Sequence, residues 1–165
     1  MKNEIDINEI INKATKNAIK EYDKEKRTEQ KDKRLHNTKL LMKNYTKLKA
    51  HVESISDKIS NLNTEIDDIE DLADKAWIMS ITRTKLRTMK MMAYVDNALA
   101  IIKEDMIKNC MEYKYKAFEL YFIEEKNHEE ISESLGCGKN QPKIWSDLVL
   151  DKLSILLWGI EALGM

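Results

Sequence analysis

Residues 127–143 have the sequence NHEEISESLGCGKNQPK, and the order of cap, apolar and glycine residues in this stretch predicts the fold around it. Asn127 is a favourable helix cap, and the acidic Glu129 and Glu130 suit the positive end of a helix dipole. The spacing therefore predicts a short helix of about two turns over residues 128–135.

The next segment, Gly136-Cys137-Gly138, predicts a tight turn because glycine can adopt a positive φ. A longer helix should follow, from about residue 140 to residue 154 or beyond. Proline is tolerated only in the first turn, so Pro142 places the start of this helix at about Asn140 or Gln141. A short helix, a glycine turn and a longer helix form the helix-turn-helix arrangement, although plain helical hairpins also use glycine turns. The apolar residues expected to fix the crossing angle are Ile131, Leu135 and Cys137, with Ile144, Leu148 or Val149 opposite.

Four polar residues project from the start of the longer helix in this prediction: Lys139, Asn140, Gln141 and Lys143. Asn and Gln can make bidentate hydrogen bonds to adenine, and Lys can reach guanine or phosphate. We expect base readout from these residues; the alternative is that they are ordinary solvated residues at a helix start. We interpret His128 as a first-turn surface residue or phosphate contact rather than a catalyst, and Trp145 as partly buried packing.

The rest of the chain shows mainly helical periodicity. A first apolar face comprises Ile7, Ile10, Ile11, Ala14, Ala18, Ile19 and Tyr22. A second set alternates steps of four and three, as in a coiled coil or helical hairpin: Leu41, Tyr45, Leu48, Val52, Ile55, Ile59 and Leu62. Its antiparallel partner is predicted to be a helix that begins near Asp74 and contains Met92, Val95, Leu99, Ile102 and Met106. The heptads leave open whether the partner lies in the same chain or in another copy.

These patterns predict an all-α fold, and the scarcity of Gly and Pro agrees with it. We expect an N-terminal long-helix bundle or coiled-coil hairpin over residues 1–109, with an acidic linker at about 60–74. A C-terminal helix-turn-helix domain should follow over residues 110–165.

Charge is unevenly distributed along a chain whose formal net charge is −1. Nearly every residue from 23 to 34 is charged or polar, which favours a solvated helix extension or a mobile linker over an arm that binds DNA phosphates. A second basic run contains Arg83, Lys85, Arg87 and Lys90. It is interpreted as a solvated face, with contact to DNA or to an acidic partner as the alternative.

Several function classes lack support in the sequence. No nucleophile–base pair, phosphate-binding loop or metal-binding carboxylate cluster stands out, so we expect no catalytic residues and no enzyme activity. His36, His51 and His128 are scattered and Cys110 and Cys137 suit reduced thiols, so neither a metal nor a cofactor is expected. The N-terminus is too charged for a secretory signal, and no apolar stretch approaches the ~20 residues of a membrane span. We therefore expect a cytoplasmic protein without a membrane partner.

The residues YFIEEKNHEEISESLGCGK at 121–139 resemble region 4 of the sigma-70 family, whose common form includes EEIAEELGCSKSTVRRW. Trp145 stands where that last tryptophan falls, and KLSILLWGI at 152–160 is similar to phage-encoded sigma-like regulators of the ArpU and RinA kind. The earlier segment LHNTKLLMKNY at 35–45 also looks like their N-terminal part. The resemblance is best over about the last 50 residues. Gly138 stands in place of the usual Ser or Thr cap, Pro142 replaces a packed Val or Ile, and the paired Arg before Trp145 is missing.

The resemblance implies a phage or prophage transcription regulator, sigma-factor-like or an activator, that binds double-stranded promoter DNA and contacts bacterial RNA polymerase. A homodimer is a further possibility. The alternatives are a helical coiled-coil scaffold protein without DNA binding, and a DNA-packaging recognition subunit that assembles into a ring. The apolar tail after Leu153 either docks onto the N-terminal bundle or meets a partner.

Overall fold

The computed structural model describes residues 7–56 and 71–164 of the chain. Within these ranges every regular element is helical, which confirms the all-α prediction. The elements are α1 (Ile7–Lys43), α2 (Tyr45–Ser56), α3 (Leu72–Lys108), α4 (Glu112–Phe122), α5 (His128–Leu135), α6 (Gln141–Trp158) and the 3₁₀ helix η1 (Gly159–Leu163).

The polar stretch of residues 23–34 belongs to one continuous helix, α1, as the solvated-extension interpretation predicts. All side chains from residue 11 to residue 33 are exposed, including the apolar Ile11, Ile19 and Tyr22. From Ile11 to Tyr22 this predicted apolar face therefore covers no core among the described residues. Contacts of α1 with other described elements begin near Arg27, because Gly164 lies against Arg27 and Lys31. The packed end of α1 includes Thr38 and Met42, both fully buried.

The heptad pattern is interrupted at Asn44, which forms a turn between α1 and α2. Beyond this turn, α2 packs against α3: the Tyr45 hydroxyl donates a 2.6 Å hydrogen bond to Asp96 Oδ1, and Lys49 pairs with the same carboxylate at 3.6 Å. Ile59, Leu62 and nearly all of the predicted acidic linker lie outside the described residues. The antiparallel coiled-coil pairing therefore remains a prediction.

The second long helix, α3, begins at Leu72, two residues before the predicted Asp74. Asp71 caps it by accepting hydrogen bonds from the backbone N–H groups of Ala73 and Asp74. The five apolar residues predicted to share a face are all buried: Met92, Val95, Leu99, Ile102 and Met106. The periodicity thus identified the buried side of this helix correctly.

One hydrophobic core connects the two predicted domains. It combines residues before position 110 with residues after it, namely Met42, Tyr45 and the α3 face with Tyr115, Phe118, Phe122, Val149, Leu150 and Leu153. The predicted boundary at residues 109 and 110 thus coincides with the turn between α3 and α4. Side chains from both sides of this turn pack in the same core.

The apolar tail docks onto α1 through one of its sides. Trp158 Nε1 donates a 3.0 Å hydrogen bond to the buried Thr38 hydroxyl, and the Arg34 guanidinium lies 4.8 Å from the Trp158 ring centroid. Ala162 of η1 is buried. Four apolar residues of the tail remain exposed: Ile155, Leu156, Ile160 and Leu163.

Candidate nucleic-acid interface

The start of α5 is fixed by a reciprocal pair of hydrogen bonds. The Asn127 side chain accepts from the Glu130 backbone N–H at 2.9 Å, while the Glu130 carboxylate accepts from the Asn127 backbone N–H at 2.9 Å. This capping box satisfies two donors that a helix start otherwise leaves unpaired. The prediction of Asn127 as the cap is confirmed.

The turn after α5 depends on Gly136, whose φ is +61°. Its N–H donates to the Glu133 carbonyl at 3.3 Å, and the Cys137 N–H donates to the Ser132 carbonyl at 3.0 Å. This pair of bonds is the Schellman motif, in which a left-handed residue ends a helix and reverses the chain. The positive φ predicted for this glycine turn is confirmed at Gly136.

Helix α6 begins at Gln141, with Asn140 as a cap that makes no side-chain hydrogen bond to the helix. Pro142 lies in the first turn, where its missing N–H costs nothing, and its side chain is fully buried. The predicted start at Asn140 or Gln141 is confirmed. The buried Pro142 thus fills the position at which the sequence resemblance led us to expect a packed Val or Ile.

All four predicted base-reading residues are exposed around this buried proline: Lys139, Asn140, Gln141 and Lys143. Ile144, which we expected among the packing residues, is 55% exposed instead. The physical reason is its position on the helix, since the buried residues of α6 occupy the opposite side: Pro142, Ser146, Val149, Leu150, Leu153 and Ser154. The first turn of α6 thus presents two amines, two amides and one aliphatic side chain to solvent.

Helices α4, α5 and α6 enclose a small apolar cluster beneath this surface. Its buried members are Ala117, Leu120 and Ile131, with Leu135, Tyr121 and Trp145 packed against them. The Trp145 ring is half-buried and makes an edge contact with Tyr113 at 4.9 Å between centroids. The prediction of Trp145 as packing is confirmed, and the cluster holds α5 against α6.

The His128 side chain is less exposed to solvent than we expected for a surface residue. Its ring is half-buried and stacks on Tyr121, with 4.5 Å between ring centroids and an interplanar angle of 9°. Its Nδ1 atom is buried without a hydrogen-bond partner. His128 lies in the first turn of α5 as predicted, but the Tyr121 side chain of α4 covers one face of its imidazole. Its contact with a phosphate stays a prediction.

Beyond its first turns, the outer side of α6 becomes acidic. Asp147 is half-buried and Asp151 is exposed, and both lie on the same side of the helix as Ile144. Desolvation by the surrounding protein raises the pKa of the Asp151 carboxyl; Lys31 opposes this shift and Asp147 adds to it. Carboxylates repel phosphates, so only the first turns of α6 have charges that suit a duplex. The sequence prediction placed Ile144 among the packing residues and overlooked this acidic limit, although helical spacing from Asn140 could have found both.

The second predicted basic patch is divided between two sides of α3. Arg83, Arg87 and Lys90 are exposed and lie at steps of four and three, so they share one face. Lys85 is half-buried and lies on another side. A single ligand on this face of α3 could therefore contact Arg83, Arg87 and Lys90 but not Lys85. Arg87 and Lys90 border an apolar groove lined by Leu41, Met91, Tyr94, Leu157 and Trp158.

Two kinds of site find no support in the described parts of the chain. Within residues 7–56 and 71–164 no three His, Cys, Asp or Glu side chains converge as a metal site would require. In the same ranges, no helix combines the length and the apolar character needed to cross a bilayer.

Comparison of the chain with protein-family models, with curated proteins and with solved structures finds no match. The resemblance to sigma region 4 therefore depends on the residues quoted above.

Proposed function

We propose that this chain is a DNA-binding transcription regulator of the phage or prophage type, sigma-factor-like or an activator. In this proposal α5 and α6 form a helix-turn-helix that binds promoter DNA. The main support is the arrangement at the start of α6, where the buried Pro142 anchors the first turn and leaves Lys139, Asn140, Gln141 and Lys143 exposed around it.

Each exposed residue has a chemical role in this proposal. The side-chain amides of Asn140 and Gln141 would make bidentate hydrogen bonds to adenine in the major groove, and Lys139 and Lys143 would reach guanine or phosphate. Ile144 adds an apolar side chain that suits the methyl group of thymine. The acidic outer side of later α6 turns limits the duplex contact to these leading residues.

Footprinting on the DNA upstream of the protein's own operon tests the proposal. We expect a protected site whose affinity falls about 5- to 150-fold in Gln141→Ala, which corresponds to roughly 1–3 kcal/mol for a lost bidentate pair. The control is Lys47→Ala, because Lys47 is an exposed residue of α2 outside the candidate interface, and it should leave the footprint unchanged. The absence of a protected site, with Lys139 and Gln141 substitutions equally silent, would refute the proposal.

We further propose that the regulator contacts bacterial RNA polymerase, which would supply all catalysis. The exposed apolar side of the tail, including Leu156 and Ile160, is a surface through which this contact could form. The chain should retain RNA polymerase core in a pull-down, and Ile160→Glu should weaken retention while preserving the footprint. Failure of the wild-type chain to retain the core enzyme would remove polymerase contact from the proposal.

A second candidate function is helical self-association as a scaffold, favoured by the exposed Ile11, Ile19 and Tyr22 of α1. Mass by light scattering separates the candidates. A dimer that lacks salt-dependent DNA binding supports the scaffold, whereas a ring that binds DNA supports a packaging recognition subunit. A monomer or dimer with a specific footprint supports the regulator.

A further inference from the structure

Seven cations follow one face of the exposed helix α1. They stand at uninterrupted steps of three and four residues, and the set is Lys13, Lys16, Lys20, Lys24, Arg27, Lys31 and Arg34. At 100° per residue they occupy an arc of only about 80° of the helix circumference. We call this set the α1 basic stripe.

The acidic residues of the same segment lie mainly elsewhere. Residues 11–34 include nine Lys or Arg and five Asp or Glu. Asp23 borders the stripe, whereas the other four acids lie on the far side of the helix: Glu21, Glu25, Glu29 and Asp32. Lys26 and Lys33 are also away from the stripe. The segregation gives one side of α1 a concentrated positive charge, although the whole chain is close to neutral.

Most of the stripe is unneutralised. Among the described residues, Lys13, Lys16, Lys20 and Lys24 are exposed and have no ion-pair partner. Arg34, at the packed end, is bound to a carboxylate, that of Glu161. Four amines on one face of a continuous helix are therefore available to an external anion.

The stripe extends towards the end of the molecule that carries the candidate interface. Lys31 of α1 lies close enough to Asp151 of α6 to oppose the rise that burial causes in the pKa of its carboxyl. Seven residues further along each helix, Thr38 accepts the hydrogen bond from Trp158. Successive turns of α1 thus meet successive turns of α6 in the same chain direction. The free half of α1 consequently extends in the direction of the N-terminal end of α6.

We propose that the α1 basic stripe binds the phosphate backbone of duplex DNA without regard to base sequence. From Lys13 to Lys24 the unpaired part of the stripe spans about 16 Å, which is roughly half of one turn of B-DNA. Amines at regular intervals match the closely spaced phosphates of a duplex, and their binding releases counterions. The choice of DNA as the anion rests on the proposed function.

An anionic membrane fits the same helix less well. A helix that lies on a bilayer buries its apolar side, which here contains Ile11, Ala18 and Tyr22. Glu25 and Glu29 continue the same side of α1 one and two turns later. Burial at the interface would bring these carboxylates against the headgroups of anionic lipids, whereas a duplex on the opposite side leaves them in water.

The test uses the full chain, a 30-base-pair duplex of random sequence, and fluorescence anisotropy over a series of salt concentrations. The stripe variant is Lys16→Gln with Lys20→Gln, and the control is Lys26→Gln with Lys33→Gln. Both variants remove two exposed charges from α1, so net charge and helix exposure are matched. For the stripe variant we expect the slope of log Kd against log salt to fall by about 1.8, or 0.9 for each lost phosphate contact. Its Kd at low salt should rise roughly tenfold, whereas the control should match the unmodified chain.

The remaining outcomes separate this inference from the proposed function. Equal losses in both variants, or no loss in the stripe variant, overturn the stripe. Stripe-dependent binding to phosphatidylserine vesicles without duplex binding also overturns it. A sequence-specific footprint that depends on Gln141, with a silent stripe variant, overturns the stripe alone. Stripe-dependent duplex binding without any specific footprint supports the stripe and refutes the proposed function.

Discussion

Replacement of Gly136 by Ala should destabilise the chain through backbone strain alone. Gly136 has a φ of +61°, and a Cβ added there meets no heavy atom within 4 Å. The left-handed conformation costs an L-residue roughly 1–2 kcal/mol, and the loss of glycine entropy in the unfolded chain returns about 0.4–1 kcal/mol. The expected net loss is about 1 kcal/mol. For a chain of this size it corresponds to a fall in Tm of roughly 2–4 °C.

Gly138, two residues away, provides a matched control. Its φ lies outside the left-handed region, and an added Cβ would be 3.7 Å from Gln141 Cγ, an ordinary contact. Gly138→Ala should therefore leave Tm unchanged or raise it slightly, because it reduces the entropy of the unfolded chain. Gly136→Asn should lose less than Gly136→Ala, since Asn tolerates the left-handed region better.

Thermal and urea unfolding followed by circular dichroism at 222 nm would measure all three variants. The reasoning fails if Gly136→Ala is neutral, or if Gly138→Ala costs as much. Either result would mean that the chain reversal after α5 does not depend on a left-handed residue at position 136.

Three further substitutions test other contacts, each by urea unfolding. Asn127→Ala should cost about 1 kcal/mol because it removes the capping bond to Glu130, and Asn127→Ser should restore most of it; equal costs would contradict the role of the cap. Thr38→Val should cost roughly 1–2 kcal/mol by leaving Trp158 Nε1 without its acceptor, whereas Thr38→Ser keeps the hydroxyl. Burial raises the pKa of Tyr115 from 10.0 to about 12, so the folded state favours the neutral phenol. The contribution of Tyr115 to the free energy of unfolding is therefore fully present below pH 10 and is lost between pH 10 and 12. Tyr115→Phe should remove this pH dependence.

Features that depend on a few adjacent residues could be predicted from the sequence. The Asn127 cap, the left-handed Gly136 and the start of α6 near Pro142 all follow from local hydrogen bonding and allowed backbone angles. The buried side of α3 followed from periodicity, because its apolar residues recur over four turns. These signals need no knowledge of distant parts of the chain.

Features that depend on which surfaces meet could not be predicted in the same way. The apolar side of α1 near Ile11 has the same periodicity as the buried side of α3, yet within residues 7–56 and 71–164 its side chains are exposed. Ile144 is as apolar as Val149, and the positions of the neighbouring helices place Val149 inside the core and Ile144 outside it. The stacking of His128 on Tyr121 likewise brings together two helices whose relation no local pattern encodes.

The core that runs across the turn at residues 109 and 110 makes the C-terminal helices dependent on the rest of the chain. A fragment cut there would uncover Phe118, Val149 and Leu153, which are fully buried in the intact protein. Three such side chains are worth several kcal/mol of burial, comparable with the whole stability of many small domains. The excised piece would therefore aggregate or lose fixed tertiary packing. In the intact chain, a ligand that binds α6 would raise the temperature at which α3 unfolds as well as that of α6.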